Sequence, residues 1–125
     1  ATAATGVAHA LVGTGFGYAA ALRRRQAALL VDLLPQVRDI RRHGGAALDL
    51  CGLAVGRLDA YYESALNPWD RAAGELVARE AGAVLGGPVD DVLTRDLVWG
   101  AAPGLAARFG PLVRDLSARH VGTVD

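Results

Sequence analysis

The chain has 125 residues, enough to bury one hydrophobic core and too few for two independent domains. At 52% hydrophobic and 21% charged it is not a disordered segment, and 13 basic residues balanced by 13 acidic ones give no field for a polyanion, so nucleic acid is not an expected partner. Every basic residue is Arg, which reads as coding bias and carries no chemistry.

Residues 1 to 22 hold no charged side chain and precede Arg23, Arg24 and Arg25, the outline of a membrane span with a basic flank. Thr2, Thr5, Thr14, His9 and the glycines at 6, 13, 15 and 17 make the stretch too polar for a span, so no membrane is expected. A secretory signal fits no better, because the charges follow the apolar run. The single cysteine, Cys51, cannot form an internal disulfide, and a cytoplasmic location is expected. No Met occurs, which fits a processed product or a piece of something longer.

In chain order, 8–14 (AHALVGT) predicts a short buried strand, followed by a loop at Gly15-Phe16-Gly17. Residues 19 to 34 place Ala20, Ala27, Leu30, Val31 and Leu34 on one helical face, and Pro35 stops the run. Residues 37–42 alternate apolar and charged side chains and predict a second strand. Gly44-Gly45 opens a helix with Ala47, Leu50, Cys51, Ala54 and Val55 facing inward and Gly56 at its end. Residues 58–63 (LDAYYE) predict a third strand. Asn67-Pro68-Trp69-Asp70 then starts a helix, Asn as N-cap and Pro at the first position. That helix buries Trp69, Ala72, Ala73, Leu76 and Val77, pairs Glu75 with Arg79 and ends at Gly82. Strands are predicted at 83–85 and 97–101, around a turn-rich connection. A last helix at about 103–118 carries the stripe Leu105, Phe109, Leu112 and Leu116. Strands alternating with helices make the fold class α/β, a layered sheet, in one domain over 1–125.

In such a sheet, ligands lie beyond the carboxyl ends of the strands, where helix amino ends point. Two junctions have suitable chemistry. In 42–46 (RHGGA), two glycines let a backbone approach a ligand and a helix start leaves N–H groups free for an anion; a plain tight turn explains the same residues. From Glu63 to Asp70 two acids flank a rigid Pro-Trp pair, although Asp70 alone serves equally well as a partner of the helix dipole. His9, His43 and His120 show no ligand spacing with each other or with Cys51, so no zinc site is expected. His43 reads as a strand-end or interface residue, Cys51 as a packed thiol, and Asp90-Asp91 as a solvated loop. Gly13-x-Gly15-x-Gly17 lacks the register of a dinucleotide fingerprint.

Together, the residues from Gly44 to Gly82 (GGAALDLCGLAVGRLDAYYESALNPWDRAAGELVAREAG) closely resemble the carboxyl-terminal segment of the inositol monophosphatase family, Mg²⁺-dependent, lithium-sensitive phosphomonoesterases. The specific elements are GGAALDLC, the GRLDAYYE strand, and the WDRAAG helix start that ends in EAG. The flanks 11–16 (LVGTGF) and 37–42 (VRDIRR) fit the same pattern. The resemblance implies a layered mixed sheet with flanking helices, the carboxyl-terminal half of the inositol monophosphatase-like fold, with the amino-terminal metal-binding half absent: neither the family's metal-binding glutamate nor its Asp-Pro-x-Asp-Gly-Thr loop has a counterpart. It further implies Mg²⁺ as cofactor, Asp70 as one of its ligands, Glu63 on a substrate hydroxyl, and Gly45 with Ala46 lining the substrate pocket. The expected substrate is myo-inositol monophosphate or a related small phosphomonoester, and the expected partners are the missing amino-terminal half or a complementary chain, and a second copy in a homodimer. No complete catalytic set is present, so the chain alone is expected to be inactive. Two departures stand out: Gly45 replaces the usual Ser or Thr, and His43 occupies a usually aliphatic position. The alternatives are a truncated, non-catalytic domain with a binding or assembly role, and a phosphatase of the same superfamily acting on histidinol phosphate, a sugar bisphosphate or a nucleotide phosphate.

Overall fold

A computed structural model describes residues 1–124. Its elements are β1 (Leu11–Thr14), α1 (Ala20–Leu33), β2 (Asp39–Arg41), α2 (Ala46–Val55), β3 (Ala60–Glu63), α3 (Pro68–Glu80), β4 (Val84–Gly86), β5 (Val98–Ala101) and α4 (Ala106–His120), with 3-10 turns at Val7–His9 and Leu34–Gln36. The strands form one sheet in the order β2-β1-β3-β5-β4. Helical crossovers make β2, β1 and β3 parallel, and β5 enters antiparallel between β3 and β4. The sheet is thus mixed and helix-flanked, an α/β layer as the alternation of elements predicts and mixed as the family resemblance implies.

Strand periodicity divides the core in two. On one face Val12, Ala60, Tyr62 and Trp99 meet Leu22, Leu29 and Leu33 of α1 and Phe109, Val113 and Leu116 of α4. On the other, Tyr61, Leu85 and Val98 meet Leu50 and Leu53 of α2 and Ala78 of α3. Among the described residues no helix is long and apolar enough to cross a membrane.

Every expected element forms, but three helix faces differ from expectation. In α1 the buried residues are Leu22, Gln26, Leu29 and Leu33, while Ala20, Ala27, Val31 and Leu34 are exposed and Leu30 is half-buried. The helix offers two apolar stripes, and the buried one has a polar residue in its middle. Gln26 is tolerated there because its amide is satisfied: Oε1 accepts from Gly17 N–H at 3.0 Å and Nε2 donates to Ser64 Oγ at 2.9 Å. In α2, Leu50 and Ala54 are buried as expected, whereas Ala47 and Val55 are exposed, Cys51 is half-buried, and Asp49 is buried in their place.

In α3 the expected face is reversed. Trp69, Ala72, Ala73, Leu76 and Val77 face outward, and Gly74 and Ala78 face in. The reason is a close helix pair: a Cβ built on Gly74 would lie 2.8 Å from Leu50 Cβ, so only the small residues of α3 fit against α2. The expected stripe of α4 is correct, with Leu105, Phe109 and Leu116 buried and Leu112 partly so.

Candidate active site

Beyond the carboxyl ends of β1 and β3, a cleft of about 670 Å³ is walled by residues 15–17, 44–47 and 63–67, with Arg42, Asp70 and Arg95. The amino ends of α2 and α3 open onto it. Gly45, Ala46, Glu63 and Asp70, which the sequence singles out at two separate junctions, therefore line one space.

At the α2 side, Gly44 sits at φ +92° and Gly45 is the extended N-cap residue. No side chain among the described residues caps the first turn, so its N–H groups remain available to an anion.

At the β3 side, strand alternation puts Tyr61 and Glu63 on the same face, and the Tyr61 hydroxyl donates to Glu63 Oε1 at 2.6 Å. Glu63 lies directly over Gly15, where a Cβ would fall 2.4 Å from Oε1, so the glycine makes room for the carboxylate. Burial pushes the Glu63 carboxyl above its ordinary value, the Tyr61 bond opposes this, Asp49 and Asp70 add to the rise, and Arg42 offsets part of it. Burial and the neighbouring Glu63 also push the Tyr61 phenol far up, so it remains a donor. Arg42 and Arg23 bracket the Phe16 ring at 5.9 and 5.6 Å, which brings basic charge to the mouth of the cleft.

Asp70 is exposed in the first turn of α3, and its Oδ2 accepts from Asn67 N–H at 2.9 Å. It therefore serves the helix start as well as lining the cleft. Arg95 Nη1 donates to Asn67 Oδ1 and ties the loop before β5 to the same junction. Glu63 and Asp70 are hard oxygen donors of the kind Mg²⁺ prefers, yet no group of three or more His, Cys, Asp or Glu side chains converges among the described residues. The donor set is incomplete for a closed Mg²⁺ site.

The sequence reading overlooks three residues of this region. Gln26 holds the 15–17 loop to Ser64; its signal is only a polar residue in an apolar stripe. Tyr61 is legible as the residue two before Glu63 on one strand. Asp49 is again a polar residue on a buried helix face, and His43 Nδ1 lies 2.8 Å from its Oδ1. Arg42 opens the 42–46 junction that the sequence singles out, and it lines the cleft. His120 pairs with Asp32 at 2.6 Å, bridging α4 to α1, away from the cleft.

The sequence profile of the inositol monophosphatase family matches residues 2–118. An inositol-1-monophosphatase of Mycobacterium leprae is 55% identical over 102 residues, which are 78% of this chain and 34% of that protein. A Nus factor SuhB of Vibrio cholerae is 45% identical over 82 residues, 63% of this chain and 31% of that protein. The solved structure of Mycobacterium tuberculosis SuhB superposes with a TM-score of 0.81 at 47% identity, covering 92% of this chain and 45% of that one. The chain thus spans less than half the length of these relatives. With the fold, the motif order and a family match over nearly its whole length in agreement, this chain belongs to the inositol monophosphatase family.

Proposed function

We propose that this chain is the carboxyl-terminal domain of a Mg²⁺-dependent phosphatase that hydrolyses myo-inositol monophosphate or a related small phosphomonoester, and that it is inactive alone. The observation that carries this is the meeting of Gly45, Ala46, Glu63 and Asp70 in one cleft, with anion-binding N–H groups on one wall and carboxylates on the other. Gly45 and Ala46 form the pocket end of α2, Glu63 accepts hydroxyl hydrogen bonds from a polyol, and Asp70 is one metal ligand. When bound, Mg²⁺ supplies an activated water and neutralises charge on the phosphate. The missing amino-terminal half provides the remaining ligands.

The exposed apolar surface of α2 and α3 supports the presence of that half in the working protein. Trp69 is 78%, Leu48 71% and Val55 67% exposed, and Leu76 and Val77 are exposed on α3 too, apolar surface of the kind that marks an interface. The outer stripe of α1, with Val31 and Leu34, supplies a second apolar surface for the proposed homodimer. The proposed setting is the cytoplasm.

The test is hydrolysis of inositol 1-phosphate with Mg²⁺ by the purified chain, alone and combined with the amino-terminal segment of a close relative. No turnover alone and chelator-sensitive turnover in the combination are expected. Chelator-sensitive turnover by the chain alone would overturn the inactive-half reading, and a well-folded combination without activity would favour the second reading. That reading is a non-catalytic domain with a binding or assembly role, favoured by the exposed α2–α3 face and by a relative that bears the name of a Nus factor.

A further inference from the structure

The turn between β2 and α2 contains a contact outside the proposed chemistry. His43 is half exposed, whereas its partner Asp49 is buried within α2. Asp49 Oδ1 meets His43 Nδ1 at 2.8 Å, and Oδ2 has no partner among the described residues. A buried carboxylate with one hydrogen bond is costly, so that bond carries unusual weight. The carboxylate is also enclosed: a Cβ on Gly13 of β1 would lie 3.5 Å from both Asp49 Oδ1 and Tyr61 Cδ1.

The geometry of the pair is that of a staple. With Gly45 as N-cap, His43 stands two residues before the cap and Asp49 at the fourth helical position, straddling the start much as the apolar pair of a hydrophobic staple does. Gly45 has no side chain with which to cap the first turn, and Gly44 at φ +92° leaves the approach pliant.

We propose that His43 is a positioning residue: by gripping Asp49 across the start of α2 it stands in for the absent N-cap side chain and fixes the turn whose Gly45 and Ala46 face the cleft. Its consequence for a substrate phosphate rests on the pocket reading above, whereas the grip itself is a property of this chain and is tested without activity.

The grip is pH-dependent. Burial pushes the Asp49 carboxyl up, while the His43 bond and charge, with Arg42, pull it down. Tyr61 and Glu63 face it from β3, and β1 (LVGT) brings no charge. A carboxyl raised on folding costs nothing below its unfolded value near pH 4, and its cost appears as pH rises through the folded value. His43 reduces that cost, so its loss weakens the chain at neutral pH and much less in acid.

The experiment is amide hydrogen exchange and thermal melting of the 125-residue chain, with and without His43→Leu, at pH 7.5 and 4. Asp49 N–H, which donates to Gly45 O at 3.0 Å and closes the first turn, reports the helix start. Its protection should fall about tenfold at pH 7.5 and far less at pH 4. Adding Gly45→Ser should restore it, since a Cβ there meets only Leu48 atoms at 3.8 Å or more. Should His43→Leu fail to fold, the comparison moves to an Asp49→Asn background, where no charge is stranded. There the helix start should still loosen and Gly45→Ser should still tighten it. Unchanged protection, equal loss at both pH values in the native background, or no rescue by serine would overturn the proposal.

Discussion

A carboxyl group set beneath a protein surface gains from a donor, and Glu63 finds one two residues back on its own strand. Tyr61→Phe removes that donor and leaves the packing of the ring. The Glu63 carboxyl should then move further up, read by carboxyl-carbon NMR titration, and the lost charged hydrogen bond should cost about 1.5–3 kcal/mol. Because Glu63 is already raised, its folded-state stability contribution is full below its unfolded value, about pH 4, and declines as pH rises through the folded one. Glu63→Gln should accordingly raise the melting temperature at pH 7 and leave it nearly unchanged in acid. In the assembled enzyme the same change should weaken binding of inositol phosphate by about 1.5–3 kcal/mol and spare a simple aryl phosphate. Equal losses for the two substrates would assign Glu63 to the fold or the metal. Glu63 and Asp70 were legible in the sequence because acids at strand-to-helix junctions are conspicuous and lie in a family motif. Tyr61, Asp49 and Gln26 were not, because each looks like ordinary core material until the partner it bonds is known.

Helix α3 shows where periodicity misleads at the level of an element. Its apolar residues describe a good amphipathic face, yet that face points outward, and the contact with α2 is made by Gly74 and Ala78. Residue size, not hydropathy, decides the packing, since the helices approach too closely for a larger side chain. Gly74→Ala should therefore destabilise by about 1–3 kcal/mol through overpacking against Leu50, despite the gain in helix propensity of about 1 kcal/mol, and thermal melting measures the net. Asp70 tests the start of the same helix. Asp70→Asn keeps an oxygen for Asn67 N–H and should cost this chain at most about 0.3–1 kcal/mol. In the assembled enzyme it should weaken Mg²⁺ binding and lower turnover by orders of magnitude, at least about a hundredfold. A destabilised but fully active variant would reduce Asp70 to a helix-start residue. In α1 the buried face is hard to read because Gln26, satisfied by its partners, interrupts the apolar stripe of Leu22, Leu29 and Leu33.

For the molecule as a whole, the strand order was beyond reach of the sequence pattern, which supplied the alternation of strands and helices but not the late insertion of β5 between β3 and β4. The exposed α2–α3 face has a measurable counterpart: binding of the amino-terminal segment should raise the melting temperature in a concentration-dependent way, by mass action. Trp69 fluorescence should shift to the blue as the patch is covered. The place of β5 also governs the order in which this domain can close as it is synthesised. Elements emerge in the order β1 to β4, but β3 and β4 have no bonds to one another until residues 98–101 arrive to join them. Until then β3 carries an open edge, and α1 lacks the α4 surface that completes its core. A chain truncated before Val98 should be protease-sensitive over residues 1–97, and resistance should appear in one step once β5 and α4 are included.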